Sequence, residues 1–237
     1  MSTLTKTRKK QLYKTRINSR SVKLDRPSKT HTDTCPIKDT KKIERMLNYL
    51  KMEISINETK SVWHHYIAYR NYILVVVGLN IPLREEDILQ LKAHRFTRTR
   101  FEITENKTMK DQRRYLNDDV QREILKYINE FEIQDDEYLF QSRKKNGNIQ
   151  EMPITRTQAF RIMKKIGQEI GINQTFGMHS LRKTYGYHFI KNARNENTAI
   201  LTLKNIYNHS NPITTMRYVQ WANEDEEKAF KNFKIGI

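Results

Sequence analysis

The chain has 237 residues, in which 44 lysines and arginines face 27 acidic residues, giving a net charge of +17. An apolar share of 37%, including 10% aromatic residues, can build a packed core and excludes a chain that is disordered throughout. The longest nearly apolar run, residues 72–83, is too short for a membrane span, which needs about 20 residues. We expect this run to be the end of a buried helix.

The positive charge predicts a polyanionic partner, with nucleic acid first and an anionic membrane surface second. No apolar stretch follows the basic N-terminus, so the sequence shows no secretory signal. The single cysteine, Cys35, cannot form a disulfide within the chain. Together these features predict a cytoplasmic protein.

Residues 1–35 contain ten lysines and arginines against two aspartates, and few large apolar side chains. This composition is typical of a flexible arm that contacts DNA, and the alternative is a tail that only adds solubility. The rest of the chain is also basic, so we expect further contacts elsewhere. The arm residues that we assign to DNA contact are Lys6, Arg8, Lys9, Lys10, Lys14 and Arg16.

From about Ile37 the sequence pattern is helical. Apolar residues recur at steps of four and three between Val62 and Val76, which predicts one helix with an apolar stripe. Asn57 is the expected N-cap of this helix. Residues 84–92 predict a further short helix.

Residues 95–116 have strand-like stretches around a polar segment, which predicts a β-hairpin with a basic tip. A short strand-like stretch, 138–140, and a turn at 146–148 follow. Further helices are predicted at 118–131, 156–170, 178–193, 197–207 and 212–221. The sequence therefore predicts an α+β fold that is mostly helical with one small antiparallel sheet.

Two pairs of residues suggest chemistry. His179 and Arg182 are three apart in a predicted helix, so both side chains can bind one anion. His209 and Tyr218 form the second pair. Each pair alone is close to what chance gives for this composition, so the surrounding residues decide the interpretation.

The stretch MHSLRKTYGYH, residues 178–188, resembles the H-x-L-R box of the tyrosine recombinases, or phage integrase family. It has the R-K-T-F-G-Y-H form common in integrases of low-GC Gram-positive bacteria. The stretch IYNHSNPITTMRY, residues 206–218, is similar to the family's L-G-H-S-S-x-x-T-T-x-x-Y, which ends in the nucleophile. Upstream, NIPLREEDILQL, residues 80–91, is similar to N-T-G-L-R-x-x-D-I-L-x-L, whose arginine is catalytic.

The predicted hairpin adds a fourth motif. Lys107-Thr108, followed by Arg114 to Asn117, resembles the family's K-T-x-K ending in P-L-N, which carries its hairpin lysine. The four motifs occur in the family's order, and the resemblance covers roughly residues 37–235. It implies a tyrosine recombinase catalytic-domain fold.

The sequence departs from the family pattern at several positions. Pro82 stands where the family has the glycine of G-L-R, and an alternative register would put Asn80 in the place of the arginine. We favour Arg84, because an acidic residue and a leucine then follow at the family's spacing. Asn208 replaces the glycine before the histidine, and Lys183 replaces a second histidine.

The resemblance implies that Tyr218 attacks a DNA phosphodiester and forms a 3′-phosphotyrosyl link. Arg84 and Arg182 would stabilise the charge on the phosphate, and His209 would hydrogen bond to it. His179 would accept the tyrosine proton, and Lys107 would protonate the departing 5′-oxygen. Lys110 is the rival to Lys107, and we expect Lys110 and Lys183 otherwise to contact DNA.

No cofactor or metal is expected. His64 and His65 are adjacent, so they point to different sides of a helix, and the sequence contains no metal-binding, nucleotide-binding or serine-hydrolase motif. The expected partners are double-stranded DNA sites and further copies of the chain, with four protomers in the assembled complex and no membrane.

Residues 36–237 are the expected catalytic domain, and we expect no separate core-binding domain, because residues 1–35 are too few to fold into one. A helix predicted at 223–232 could be exchanged between protomers, or it could pack on its own body. Two alternatives to a recombinase are an inactive DNA-binding regulator or accessory protein of this fold and an enzyme like type IB topoisomerase. Integration, inversion and resolution all fit the sequence.

Overall fold

The structure, a computed structural model, describes residues 34–104, 111–143, 149–172, 175–221 and 230–235. In these ranges the chain is mostly helical, with two small antiparallel hairpins. The longer helices are α1 (Thr40–Glu58), α2 (Val62–Asn80), α4 (Asp118–Glu130), α5 (Arg156–Glu169), α6 (Met178–Lys191), α7 (Glu196–Tyr207) and α8 (Pro212–Val219). The five-residue helix α3 (Glu85–Leu89) precedes a 3₁₀ helix, Ala93–Phe96.

Most of these helices begin where the sequence provides a polar N-cap, whose side chain accepts a hydrogen bond from a backbone N–H of the first turn. The N-caps with such a bond are Asp39, Ser61, Asn117, Thr155, Asn195 and Asn211. The prediction of Asn57 as the cap of α2 is wrong. Asn57 lies inside α1, and Ser61 caps α2 because α1 continues to Glu58.

The central helix of the main core is α2, which packs against α1, α4 and α6. Its residues 72–78 are all buried, so the apolar run of the sequence is the C-terminal half of a buried helix, as predicted. Close approach of α2 and α6 depends on Gly78, because a Cβ there would lie 2.6 Å from Leu181 Cδ1. No helix in the described ranges is both long enough and apolar enough to cross a membrane.

The first hairpin pairs β1 (Arg100–Thr104) with β2 (Asp111–Tyr115) in antiparallel register, as predicted. Its last described pair is Thr104 with Asp111. The second hairpin pairs β3 (Gln141–Arg143) with β4 (Ile149–Pro153) and contains a register irregularity. The turn predicted at 146–148 lies outside the described residues, and the pairing of β3 with β4 on either side of it was not predicted.

The strand predicted at residues 138–140 is displaced, because β3 begins at Gln141 and Tyr138 forms only an isolated bridge with Lys92. Leu139 and Phe140 are buried in the core, which explains why this apolar stretch looked like a strand. Most of the helix predicted at 223–232 lies outside the described residues. The last part that is described, residues 230–232, is helical.

A second apolar cluster joins α6, α7 and α8, and it includes Leu203, Tyr207 and Val219. Gly186 in α6 makes this packing possible, because a Cβ there would lie 2.6 Å from both the Tyr207 hydroxyl and Val219 Cγ1. Trp221 also packs on this cluster, with its ring 5.3 Å from that of Tyr187. The cluster fixes α8, which carries Tyr218, against α6, which carries the H-x-L-R motif.

Candidate active site

Five of the six residues predicted to be catalytic line one cleft of about 640 Å³. They are Arg84, His179, Arg182, His209 and Tyr218. The sixth, Lys107, lies outside the described residues. The five side chains come from four separate parts of the chain, so only the packing of the helices brings them together.

The structure places Arg84 and Asn80, the two candidates for the position of the family's first catalytic arginine, in different surroundings. Ile81 and Leu83, on either side of Pro82, are buried in the core, so the next residue, Arg84, leaves the core and lines the cleft. Asn80 is the last residue of α2, and its side chain donates to the Val76 carbonyl (2.9 Å). Asn80 is not among the residues that line the cleft.

Arg182 is 4% exposed, one turn after His179 in α6. Its guanidinium carbon lies 4.5 Å from the centre of the Tyr207 ring. Within the described residues its Nε has no hydrogen-bond partner. The arginine is therefore held on an aromatic face at a position where it lines the cleft.

His209 follows a left-handed residue, Asn208, which ends α7 with φ 55° and ψ 39°. Asparagine is the residue other than glycine that best tolerates this conformation, so the departure from the family's glycine keeps the turn. The His209 Nδ1 lies 2.9 Å from the hydroxyl of Thr215, a fully buried residue of α8. When that hydroxyl donates to Nδ1, the ring proton is on Nε2.

Both histidines of the cleft favour the neutral form. Burial, followed by the charges of Arg182 and Arg84, lowers the pKa of His209 to about 4. Desolvation also lowers the pKa of His179, with contributions from Arg182 and Arg156. At neutral pH the cleft therefore contains two neutral imidazoles beside fixed positive charges, and a neutral imidazole can accept a proton.

Tyr218 lies in α8, with its ring 5.4 Å from the His209 ring and 5.5 Å from the Tyr207 ring. Burial raises the pKa of its phenol, and the charges of Arg182 and Arg84 act in the opposite direction. Tyr207 and Tyr187, the other tyrosines that flank the motifs, are buried, at 0% and 3% exposure. Of these three tyrosines, only Tyr218 lines the cleft.

The base of the first hairpin is connected to the same region. Arg114 of β2 is buried and donates through Nη2 to the carbonyl of Ile206, near the end of α7 (3.2 Å). The hairpin residues beyond Thr104 and Asp111 include Lys107 and Lys110, which lie outside the described residues. Their assignment stays a prediction.

Arg156 and Glu85 are two of the cleft residues to which the sequence motifs assign no role. Arg156 is the first residue of α5, and its Nε lies 3.5 Å from a carboxylate oxygen of Glu85. Its side chain is 67% exposed, whereas that of Glu85 is 12% exposed. Arg156 lies outside the four motifs, and Glu85 occupies a variable position of the motif at residues 80–91, so only the fold could reveal that they share the cleft.

The predicted DNA contacts divide into two groups. Lys6, Arg8, Lys9, Lys10, Lys14 and Arg16 lie outside the described residues, as does Lys110. Lys183 is described, but it is 5% exposed, and its Nζ donates to the Thr34 carbonyl (2.5 Å). This corrects the expectation of a DNA contact for Lys183, because its ammonium is used inside the protein.

The described ranges contain no group of three or more histidine, cysteine, aspartate or glutamate side chains that could hold a metal ion. The cleft instead combines three guanidinium groups, two neutral imidazoles and a phenol. Planar cations and N–H donors suit the oxygens of a phosphate, and the phenol is an oxygen nucleophile. The arrangement fits attack of an oxygen on a bound phosphoryl group.

Comparisons with known proteins agree with these motifs. The model of the Phage integrase family matches residues 39–225. A protein of Bacillus subtilis (strain 168) described as "Probable integrase/recombinase YoeC" is 32% identical over 199 residues, which are 84% of this chain and 96% of that protein.

Solved structures of recombinases share the fold. XerA recombinase matches with a TM-score of 0.58 and 16% identity, over 90% of this chain and 67% of that one. XerH site-specific recombinase, bound to its difH substrate, matches with a TM-score of 0.60 and 17% identity, over 84% of this chain. The chain covers 53% of XerH, about half its length. These similarities confirm the predicted fold class.

Proposed function

The chain belongs to the phage integrase family, and on that basis we propose that it is a site-specific DNA recombinase whose nucleophile is Tyr218. The observation that carries the assignment is the convergence of Arg84, His179, Arg182, His209 and Tyr218 on one cleft. These residues were selected from sequence motifs alone. A fold that served only to bind DNA would not need a half-buried tyrosine beside them.

The proposed step is a transesterification. The Tyr218 oxygen forms a bond to the phosphorus of a DNA phosphodiester, and the bond from phosphorus to the 5′-oxygen breaks. The products are a 3′-phosphotyrosyl link and a free 5′-hydroxyl. Because the phosphotyrosyl ester keeps the energy of the broken bond, religation to another strand needs no ATP.

Two proton transfers accompany this exchange. The tyrosine proton passes to the neutral imidazole of His179, and a proton from Lys107 is donated to the departing 5′-oxygen. The lowered pKa of His179 keeps its ring able to accept a proton at neutral pH. The raised pKa of the Tyr218 phenol keeps the nucleophile protonated until DNA is bound.

Arg84 and Arg182 neutralise the charge that develops on the non-bridging phosphate oxygens. Arg182 is already oriented by Tyr207 before DNA arrives, so little reorganisation is needed in the reaction. His209, oriented by Thr215, presents Nε2–H to the same oxygens. Removing one such preorganised donor costs about 100- to 1,000-fold in rate.

We place this reaction in the cytoplasm, on double-stranded DNA sites held by four copies of the chain, without a metal or other cofactor. The exposed Phe230 and Phe233 support exchange of the C-terminal segment between copies, because 78% and 71% of their surfaces face solvent. The basic arm, residues 1–35, adds contacts to the DNA backbone.

The deciding experiment is a denaturing gel that detects a covalent protein–DNA complex. The full chain is mixed with nicked DNA from the ends of its own genetic element, in the presence of a chelator and without ATP. We expect a band shifted by one protomer, which Tyr218→Phe abolishes without loss of DNA binding. Tyr115→Phe, a change at an exposed tyrosine of β2, is the matched control and should keep the band. An adduct that persists in Tyr218→Phe would overturn the assignment of the nucleophile.

A further inference from the structure

Residues 34–38 are the start of the described chain, and they contact both α6 and α8. We name this segment the strap. The Ile37 N–H donates to the Thr184 hydroxyl (2.8 Å), and the Ile37 carbonyl lies 2.9 Å from His188 Nε2. Lys38 Nζ donates to the Gln220 carbonyl at the end of α8 (3.4 Å). The strap therefore fixes the helix that carries Tyr218 relative to the helix that carries Arg182.

Lys183 joins the strap to the nucleophile. It is 5% exposed, and its ammonium donates to the Thr34 carbonyl at 2.5 Å. The same ammonium lies 5.3 Å from the centre of the Tyr218 ring, within the range of a cation–π contact. A charge held out of water acts more strongly on its neighbour than the same charge on the surface.

This contact changes as the proposed reaction proceeds. While Tyr218 is a neutral phenol, the ammonium of Lys183 is attracted to the face of the ring. As the phenolic proton leaves and negative charge develops on the oxygen, the attraction becomes that of a cation for an anion, which is larger. The lysine therefore stabilises the reacting state more than the resting state, which is the condition for a rate effect.

We propose that Lys183 is a positioning residue for the nucleophile, held by the Thr34 carbonyl so that its charge fixes the Tyr218 ring and favours removal of the phenolic proton. The inference rests on the proposed function, because it concerns the same tyrosine. It replaces the DNA contact that the sequence suggested for Lys183. The charged and titratable groups that contact Tyr218 or share its cleft in the described structure are Arg84, Glu85, Glu86, Arg156, His179, Arg182, Lys183, Tyr207 and His209.

The test compares Lys183→Met, which keeps the length of the side chain without its charge, with Lys183→Arg, which keeps the charge. Lys191→Met is the matched control, because it removes another lysine of α6 that lies over a tyrosine ring, that of Tyr187 (5.7 Å), but is exposed and lies outside the strap. The rate of adduct formation is measured with saturating nicked DNA, across the pH range in which each variant stays folded. DNA affinity is measured separately.

We expect Lys183→Met to form the adduct about 2- to 30-fold more slowly, with its pH profile moved to higher pH and its DNA affinity unchanged. Lys183→Arg should recover most of the rate, and Lys191→Met should keep the profile of the wild type. An unmoved profile in Lys183→Met, or the same shift in Lys191→Met, would overturn the role of the charge. A wild-type chain that forms no adduct would instead count against the proposed function.

A second measurement does not depend on activity. Fluorine NMR of protein labelled with 3-fluorotyrosine observes the ionisation of each phenol directly. The fluorine substituent also moves this titration to lower pH, where the protein stays folded. The signal that disappears in Tyr218→Phe is that of Tyr218. We expect the Tyr218 signal to titrate at higher pH in Lys183→Met than in the wild type. Identical titration of the two proteins would reject the proposal even if neither forms an adduct.

Discussion

Arg182 and Tyr207 hold each other in two ways. The guanidinium of Arg182 lies over the Tyr207 ring, and the Tyr207 hydroxyl donates to the Arg182 carbonyl (2.5 Å). Tyr207 is fully buried, and its burial raises the pKa of its phenol well above the ordinary value. Tyr207 therefore supports the Arg182 side chain from inside the protein.

This relationship predicts different effects for two substitutions of Tyr207. Tyr207→Phe keeps the ring face but loses the hydrogen bond, so we expect a loss of about 1 kcal/mol in unfolding free energy and a nearly normal adduct rate. Tyr207→Leu removes the ring, and we expect an adduct rate about 10- to 100-fold lower, because Arg182 loses its orientation. Denaturant unfolding and the gel assay measure the two effects. Equal adduct rates in both variants would show that the ring does not orient the arginine.

Thr215 is predicted to set the proton position of His209. Thr215→Val has nearly the same volume but removes the hydroxyl that lies 2.9 Å from Nδ1. We expect adduct formation to fall about 10-fold, because the imidazole no longer keeps its N–H toward the phosphate. Thr215→Ser retains the hydroxyl and should recover the rate. If Thr215→Ser is as slow as Thr215→Val, packing rather than the hydrogen bond is responsible.

The pKa of His209 predicts how stability changes with pH in the protein without DNA. The folded-state pKa is lowered from 6.5 to about 4, so between these values the unfolded chain binds a proton that the folded chain does not. Above pH 6.5 the group has no effect, and the free energy of unfolding should fall as the pH decreases from 6.5 toward 4.

Denaturant unfolding at several pH values tests this expectation. His209→Gln should show a shallower fall over the same window, because the titrating group is gone. His64→Gln, a change at an exposed residue outside the cleft, should behave as the wild type. Parallel curves for the wild type and His209→Gln would contradict the low pKa of His209.

Arg156 is predicted to bind a DNA phosphate at the edge of the cleft. Arg156→Ala should weaken DNA binding and reduce the slope of log affinity against log salt by about 0.9, the value for one lost phosphate contact. Arg161→Ala is the matched control on α5, since Arg161 is exposed but does not line the cleft. Glu85→Gln should strengthen binding, because it releases Arg156 from its ion pair. Equal slopes for Arg156→Ala and the wild type would exclude this contact.

The proposed role of Lys107 as general acid predicts rescue by a better leaving group. Lys107→Ala should cleave ordinary DNA slowly, because the 5′-oxygen leaves without a proton. A substrate with sulfur in place of that oxygen needs no proton, so we expect it to restore adduct formation to Lys107→Ala. Lys110→Ala, at the rival residue, should cleave both substrates alike. Failure of the sulfur substrate to rescue Lys107→Ala would move the general acid to another residue.

Much of the candidate site was predictable because its residues lie within short motifs of fixed spacing. Asn80 and Arg84 show where spacing alone was ambiguous, because either residue could take the place of the arginine. The burial of Ile81 and Leu83 resolves the ambiguity, and burial depends on the packing of distant helices. The cap of α2 was mistaken for a similar reason, since α1 continues past Asn57 to Glu58.

By itself the sequence determined the helical pattern, the first hairpin and the motif residues, because periodicity, capping and spacing are local properties of the chain. Only the tertiary structure decided where Lys183, Arg156 and Thr215 lie relative to the cleft, and their proposed roles follow from those positions. A lysine beside the arginine of the H-x-L-R motif looks like a DNA contact until the packing of the strap buries it against Tyr218. Such roles depend on which surfaces meet, and residues far apart in the chain determine those contacts.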